Sequence, residues 1–153
     1  MPDALRPSHH HNNPLPPDDN SDILLICSDA REYSLSPQDL QALPASSLQA
    51  QYFHTDHGRH GPYNLLGVSL LALIQLKEGV TSPWQSIELI SADGFGNRVL
   101  RQELEISPQD FLLCYQSNGK PLTRENGLVR LVVASEQNSA LRQVKWLRLI
   151  RVR

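Results

Sequence analysis

The sequence is short of several things at once, and each shortage removes a class of explanation. Two cysteines in 153 residues, Cys27 and Cys114, are too few to staple a disulfide scaffold and point to a reducing compartment. No apolar run approaches the ~20 residues of a membrane span, and aromatic residues make up only 6% of the chain. Neither sign of charge dominates: 14 Lys and Arg stand against 16 Asp and Glu, a formal net charge of −2. No global field therefore draws the chain to nucleic acid or to an anionic membrane. Met1 to Pro17 lacks the apolar stretch of a secretory signal, so a cytoplasmic location is expected. No Ser-His-Asp order, P-loop or dinucleotide fingerprint is present; Gly94-Phe95-Gly96 lacks the third glycine and the helix after it.

What is present is an ordinary globular balance, 40% apolar and 20% charged, in a length that suits one domain. The texture changes along the chain. Residues 1–21 hold five of the eleven prolines (Pro2, Pro7, Pro14, Pro16, Pro17), the run His9-His10-His11 and only Leu5 and Leu15 as sizeable apolar anchors. Proline removes donors and fixes φ, so this segment reads as a disordered, Pro/His-rich arm before a single domain over 22–153.

Within that domain, Ile23-Leu24-Leu25-Ile26-Cys27 is a short apolar run suited to a buried strand. Ser36 before Pro37, with Asp39 in the first turn, starts a short helix that Pro44 stops. Leu48 to His54 reads as a strand and Gly58 to Asn64 as a loop. Val68 to Lys77 reads as the one longer helix, capped by Ser69 or Asn64 and closed by Gly79. Ile87 to Ile90 and Arg98 to Leu100 flank the Asp93-Gly94-Phe95-Gly96-Asn97 turn as a hairpin. Ser107-Pro108-Gln109-Asp110 repeats Ser36-Pro37-Gln38-Asp39, and both read as a capped single turn. Phe111 to Gln116, Leu128 to Val133 and Val144 to Val152 complete the strands, with a tight turn at Ser117 to Pro121. The fold class is α+β, mixed and β-rich.

The densest polar chemistry is His54-Thr55-Asp56-His57-Gly58-Arg59-His60. Imidazoles at His54, His57 and His60 suit a divalent metal such as zinc, provided that a loop converges them, because a strand alternates faces. The C-terminal end carries Arg142, Lys145, Arg148, Arg151 and Arg153 with no acidic residue between them. On a strand Lys145 and Arg151 share one face, Arg148 and Trp146 the other. Against a negative net charge this reads as a solvated edge that blocks aggregation, not a nucleic-acid patch. Trp84 reads as an anchor for its loop, and Phe95, between glycines at a hairpin tip, as an exposed contact for a partner.

Five blocks, in order, resemble the sulfite-oxidase-like, molybdopterin-binding oxidoreductase domain. They are the leucine-rich stretch Leu35 to Pro44, Leu66-Gly67-Val68-Ser69-Leu70-Leu71, Leu112-Leu113-Cys114-Tyr115-Gln116-Ser117-Asn118-Gly119-Lys120-Pro121-Leu122, Gly127-Leu128-Val129-Arg130-Leu131-Val132-Val133 and Val144-Lys145-Trp146-Leu147-Arg148-Leu149-Ile150. The resemblance implies a sulfite-oxidase-like fold from about Leu35 to Ile150. It also implies a molybdopterin site in which a cysteine thiolate ligates molybdenum at the end of the strand before the Gly-Val helix.

This sequence departs from that pattern where the chemistry lies. The corresponding strand ends Tyr52-Phe53-His54-Thr55-Asp56 with no cysteine, and Ser69, Asn126-Gly127 and Ala134-Ser135 replace the family's proline, His-Gly and Pro-Gly. His54, Asp56, His57 and Arg59 occupy the place of the missing cysteine, and Arg130 and Lys145 match the pterin-side cations, with Arg142 as a looser candidate. The expectation is a cofactor-poor, non-catalytic binding or interaction module for a small anionic ligand or a protein partner. The competing readings are a molybdopterin-dependent oxidoreductase using Cys27 or Cys114, and a divalent-metal domain using His54, His57 and His60.

Overall fold

The computed structural model describes residues 22–55, 58–123, 128–134 and 143–153; the arm over 1–21 lies outside them. Two five-stranded sheets share one core. The first has the order β2 (Glu32–Leu35), β1 (Ile23–Ile26), β10 (Leu147–Val152), β5 (Ser86–Ser91), β6 (Gly96–Leu100). The second runs β3 (Ser46–Thr55), β4 (Gly58–Ser69), β7 (Phe111–Ser117), β8 (Lys120–Pro121), and β9 (Arg130–Val133) also pairs with β7. Among the described residues only the β1–β10 pairing is parallel, joining the first described strand to the last.

Alternation along the strands decides which side chains enter the core. Ile23, Leu25, Ile87, Leu89, Val99, Ile150 and Val152 project from the first sheet to meet Val68, Phe111, Leu113, Tyr115, Leu131 and Val133 of the second. Helices α1 (Pro37–Gln41), α2 (Leu70–Glu78) and α3 (Arg101–Ile106) add Leu40, then Leu70, Leu73 and Ile74, then Leu104. The opposite face of the second sheet carries a smaller cluster of Leu65, Leu112, Cys114, Leu122 and Val132.

The helix starts follow their side chains. Ser36 accepts from the Asp39 amide while Asp39 accepts from the Ser36 amide, a complete capping box. Ser69, not Asn64, caps α2 through the Ala72 amide at 3.2 Å. The second Ser-Pro-Gln-Asp differs: Pro108–Asp110 is a 3₁₀ turn to which the Ser107 hydroxyl contributes no cap. Helix α3 is absent from the sequence reading because no residue before it marks a start; Glu103 instead caps backward onto the Leu100 amide at 2.9 Å. Trp84 is buried as expected, its ring 4.6 Å from the guanidinium of Arg101, which donates to the Ser82 and Trp84 carbonyls.

Three expectations are corrected. Gly58 to Asn64 is the first half of β4, not a loop, paired with Gln51 to Thr55. Glycine and proline break strands in isolation, but here Gly61 and a cis Pro62 form a bulge that offsets one near Ala50 in β3. A Cβ on Gly61, at φ +129°, would lie 2.6 Å from the Gln51 carbonyl oxygen, so only glycine fits. The basic C-terminal strand is no edge: β10 is the middle strand of the first sheet and starts at Leu147. Trp146, at φ +50°, breaks the alternation that would have ordered Lys145 and Trp146 on it. Phe95 is partly buried and packs on the core, because its turn folds back over the sheet through Ser91, whose amide donates to the Phe95 carbonyl.

Candidate functional site

One rung of the second sheet runs Ser46, Gly67, Cys114, Arg130 across β3, β4, β7 and β9. Since Leu131 and Val133 face the shared core, Arg130 faces the other way, with Cys114, Leu112 and Val132. Leu131 and Val144 exchange backbone hydrogen bonds at 2.9 and 3.3 Å, and the Leu147 amide donates to Val129 at 3.0 Å. These bonds lay residues 143–147 beside β9. Arg130 Nη2 consequently donates to Oε1 of the buried Gln143.

Burial works against the charged form of Arg130, and the nearby Cys114 and Tyr63 oppose that effect. The Lys145 ammonium is held below its ordinary value by loss of hydration and then by the Arg130 charge. The two cations the resemblance assigned to one ligand are therefore in electrostatic contact. Lys145 is exposed and Arg130 half-buried, and two like charges within electrostatic reach of each other favour an anion between them, because it offsets their repulsion. Gln143 carried no signal in the sequence: it lies beside the predicted last strand, and only the β9 pairing brings it to Arg130.

Neither thiol is open. Cys114 is fully buried, its Sγ 3.2 Å from the Gln116 carbonyl, and burial pushes it up against the pull of backbone contacts and Arg130. Cys27 is pushed up to about 11, by burial first and then by the Glu78 carboxylate, while its Sγ lies 3.9 Å from the Lys77 carbonyl. Both are small buried hydrophobes. A thiol reagent at pH 8 is expected to react with native protein roughly 100-fold or more slowly than with a free cysteine, and fully in urea. Rapid labelling of one equivalent in the native state would overturn this.

The histidine segment is the tip of the β3–β4 hairpin. His60 pairs with Phe53 and Arg59 with His54, so positions 54 and 60 occupy successive rungs. The His54 side chain, Asp56 and His57 lie outside what the structure describes. Arg59 stacks on Tyr52, 4.0 Å from its ring centre, and His60 is exposed. Among the described residues no three His, Cys, Asp or Glu side chains gather as for a metal. Gly67, on the Arg130 rung, lies eight residues along β4 from Arg59, roughly 25 Å of strand. The register thus sets Arg59 and His60 at one end of the second sheet and joins Arg130 with Lys145 near the other. Arg142 lies outside the described residues.

Two other basic residues of the C-terminal end, Arg151 and Arg153, serve the first sheet. Arg151 and Arg98 flank Glu88 across β10, β5 and β6, and Arg153 Nε donates to the same carboxylate. No helix among the described residues is long and apolar enough to cross a membrane.

Comparison with known proteins agrees with this architecture. A solved structure of the sulfane dehydrogenase SoxCD from Paracoccus pantotrophus superposes with a TM-score of 0.72 at 18% identity. The match covers 94% of this chain and 41% of that one, a likeness of fold. No curated protein matches the sequence. The family model of the oxidoreductase molybdopterin binding domain matches residues 17–153, nearly the whole chain. With the two-sheet fold and the five sequence blocks in order, that match places the chain in the oxidoreductase molybdopterin-binding domain family.

Proposed function

We propose that this domain is a non-catalytic binding module that holds a phosphate-bearing organic anion of the pterin class at Arg130 and Lys145, with Gln143 orienting the guanidinium. The observation that carries the reading is a contrast. The cations that would hold a ligand's phosphate converge, whereas both cysteines are closed, neutral and bonded into the backbone. A molybdenum centre of the family's kind needs a thiolate at an accessible position, and the described residues supply none. The residues fit the anionic end of molybdopterin and do not fit its metal end, so no redox step is derived.

A second reading rests on one observation: Cys114 shares the Arg130 rung, nearer the cations than Cys27. A rearrangement exposing it would make a molybdopterin-dependent oxidoreductase. Protein purified from its own host without an affinity tag, analysed for molybdenum and titrated with guanosine monophosphate, separates the two. The binding-module reading expects no molybdenum and saturable binding of the nucleotide, weakened about ten-fold by Lys145→Gln and more by Arg130→Gln. Near-stoichiometric molybdenum with a pterin absorption band, lost in Cys114→Ser, would establish the second reading instead. Neither molybdenum nor phosphate monoester bound would remove both.

A further inference from the structure

The hairpin of β3 and β4 runs past the rest of its sheet. Strand β7 pairs with β4 only over Leu65 to Ser69, whereas β3 follows β4 out to the Thr55–Gly58 pair. Among the described residues, Gln51 to Thr55 and Gly58 to Tyr63 therefore form a two-stranded ribbon with no third strand beside it. Gly58 through Pro62 are all exposed. Two strands alone are marginally stable in water, because they bury little and leave backbone donors and acceptors open along both sides.

The two sides of the ribbon differ. The β4 side carries Arg59, Gly61 and Pro62, and Pro62 has no amide hydrogen to offer a further strand. The β3 side, Ser46–Thr55, holds no Lys, Arg, Asp, Glu or Pro. The other outer strands among the described residues are guarded. Strand β2 carries Glu32, β6 carries Arg98, β8 is two residues long and ends in Pro121, and β9 has Val144 bridged to it. The first half of β3 is blunted by its bulge, where Ala50 stands at φ +53° and Gln51 Nε2 donates to the Gln49 carbonyl at 3.3 Å. In the second half the extra residue lies in β4, since Gln51 pairs with Tyr63 and Phe53 with His60. Gln51 to Thr55 thus keeps a regular strand rich in β-formers.

A second copy of this chain is the occupant that this edge fits. Antiparallel self-pairing about a two-fold axis sets each residue opposite a fixed mate, so a charge near the axis would meet its like. Centred on Phe53, the pairing sets Phe53 against the partner's Phe53, Tyr52 against the partner's His54 and Gln51 against the partner's Thr55. Aromatic meets aromatic and polar meets polar, with no carboxylate, ammonium or guanidinium in the row. We infer that Gln51 to Thr55 is a self-association edge, through which two copies join their second sheets into one continuous sheet. It does not depend on the ligand proposed for Arg130, which lies toward the other end of that sheet.

The test is sedimentation velocity of the full chain from about 1 to 300 µM, where a reversible monomer–dimer equilibrium with a dissociation constant of about 100 µM or below is expected. Phe53→Lys and Phe53→Glu, each alone, should weaken it about ten-fold, because like charges then meet on the axis. An equimolar mixture of the two should dimerise again, because Lys then faces Glu. Trp84 and Trp146 fluorescence reports that each variant is folded. Should neither fold, the double variant Gln51→Lys/Thr55→Lys, which sets like charges opposite at both ends of the row, should dimerise about ten-fold more weakly than wild type. A monomer throughout the range, a dimer that these charges leave intact, or a mixture that stays monomeric would overturn the inference.

Discussion

Gly67→Ala is expected to destabilise the domain by about 4 kcal/mol or more, the largest effect of any change considered for this chain. A Cβ at Gly67 would lie 2.0 Å from the Leu113 carbonyl oxygen and 2.8 Å from the Cys114 Cα. Both obstacles are backbone atoms of the neighbouring strand, so no rotamer change relieves the overlap. The cause is a bulge: Leu66 pairs with Gln116 and Gly67 with Cys114, so β7 has one residue more than β4 over this step. The two backbones close together where β4 turns into α2, and Val68 beside it is fully engaged in the core. With total stabilities of about 5–15 kcal/mol for domains of this kind, the variant should be partly unfolded at 37 °C. Urea unfolding followed through Trp84 and Trp146 fluorescence measures it. A loss below about 1 kcal/mol would mean the strands separate more easily than their register implies.

Glu88→Gln is expected to cost about 2 kcal/mol at pH 7, lowering Tm by roughly 6 °C. Its carboxylate is 7% exposed and takes Arg153, Arg98 and Arg151 as ion-pair partners, so its loss leaves three guanidiniums facing one another. The figure lies below that for a fully buried pair because the arginines are 38–58% exposed and water screens them. The pH dependence gives the prediction a second readout. Burial raises the Glu88 carboxyl, but the Arg153 hydrogen bond and the charges of Arg153, Arg98 and Arg151 outweigh it and hold the group below its ordinary value. A depressed carboxyl contributes stability that is present above the unfolded value near 4.3 and is lost as pH falls through the folded one. The difference between wild type and Glu88→Gln should therefore shrink steadily below about pH 4. A difference independent of pH would show that Glu88 acts by packing and not by charge.

Most of the elements were legible in the sequence because their signals are local. The Ser36–Asp39 box, the Ser69 cap and the Asp93 to Asn97 turn each depend on groups within a few residues of one another. The five blocks that mark the family also read in order without any structure. The mistakes share a physical origin. Gly58 to Asn64 has the composition of a loop, and it is a strand because a neighbouring strand with a matching bulge satisfies its backbone. The C-terminal strand has the charges of an edge, and it is central because β1 and β5 pair with it from residues more than fifty positions away.

For the site the division is sharper. Sequence alone determined the family, and with it the expectation that Arg130 and Lys145 stand on the ligand side and that no cysteine stands where the family holds its metal. Those are matters of residue type and order, fixed by covalent chemistry. Only the tertiary structure decided that Arg130 lies against Gln143 within electrostatic reach of Lys145, that Arg59 and His60 stand a strand's length away from them, and that Glu88 gathers Arg98, Arg151 and Arg153. Each is a consequence of strand register. A shift of one residue moves a side chain to the other face, and pairings between distant segments leave no periodic trace in the chain.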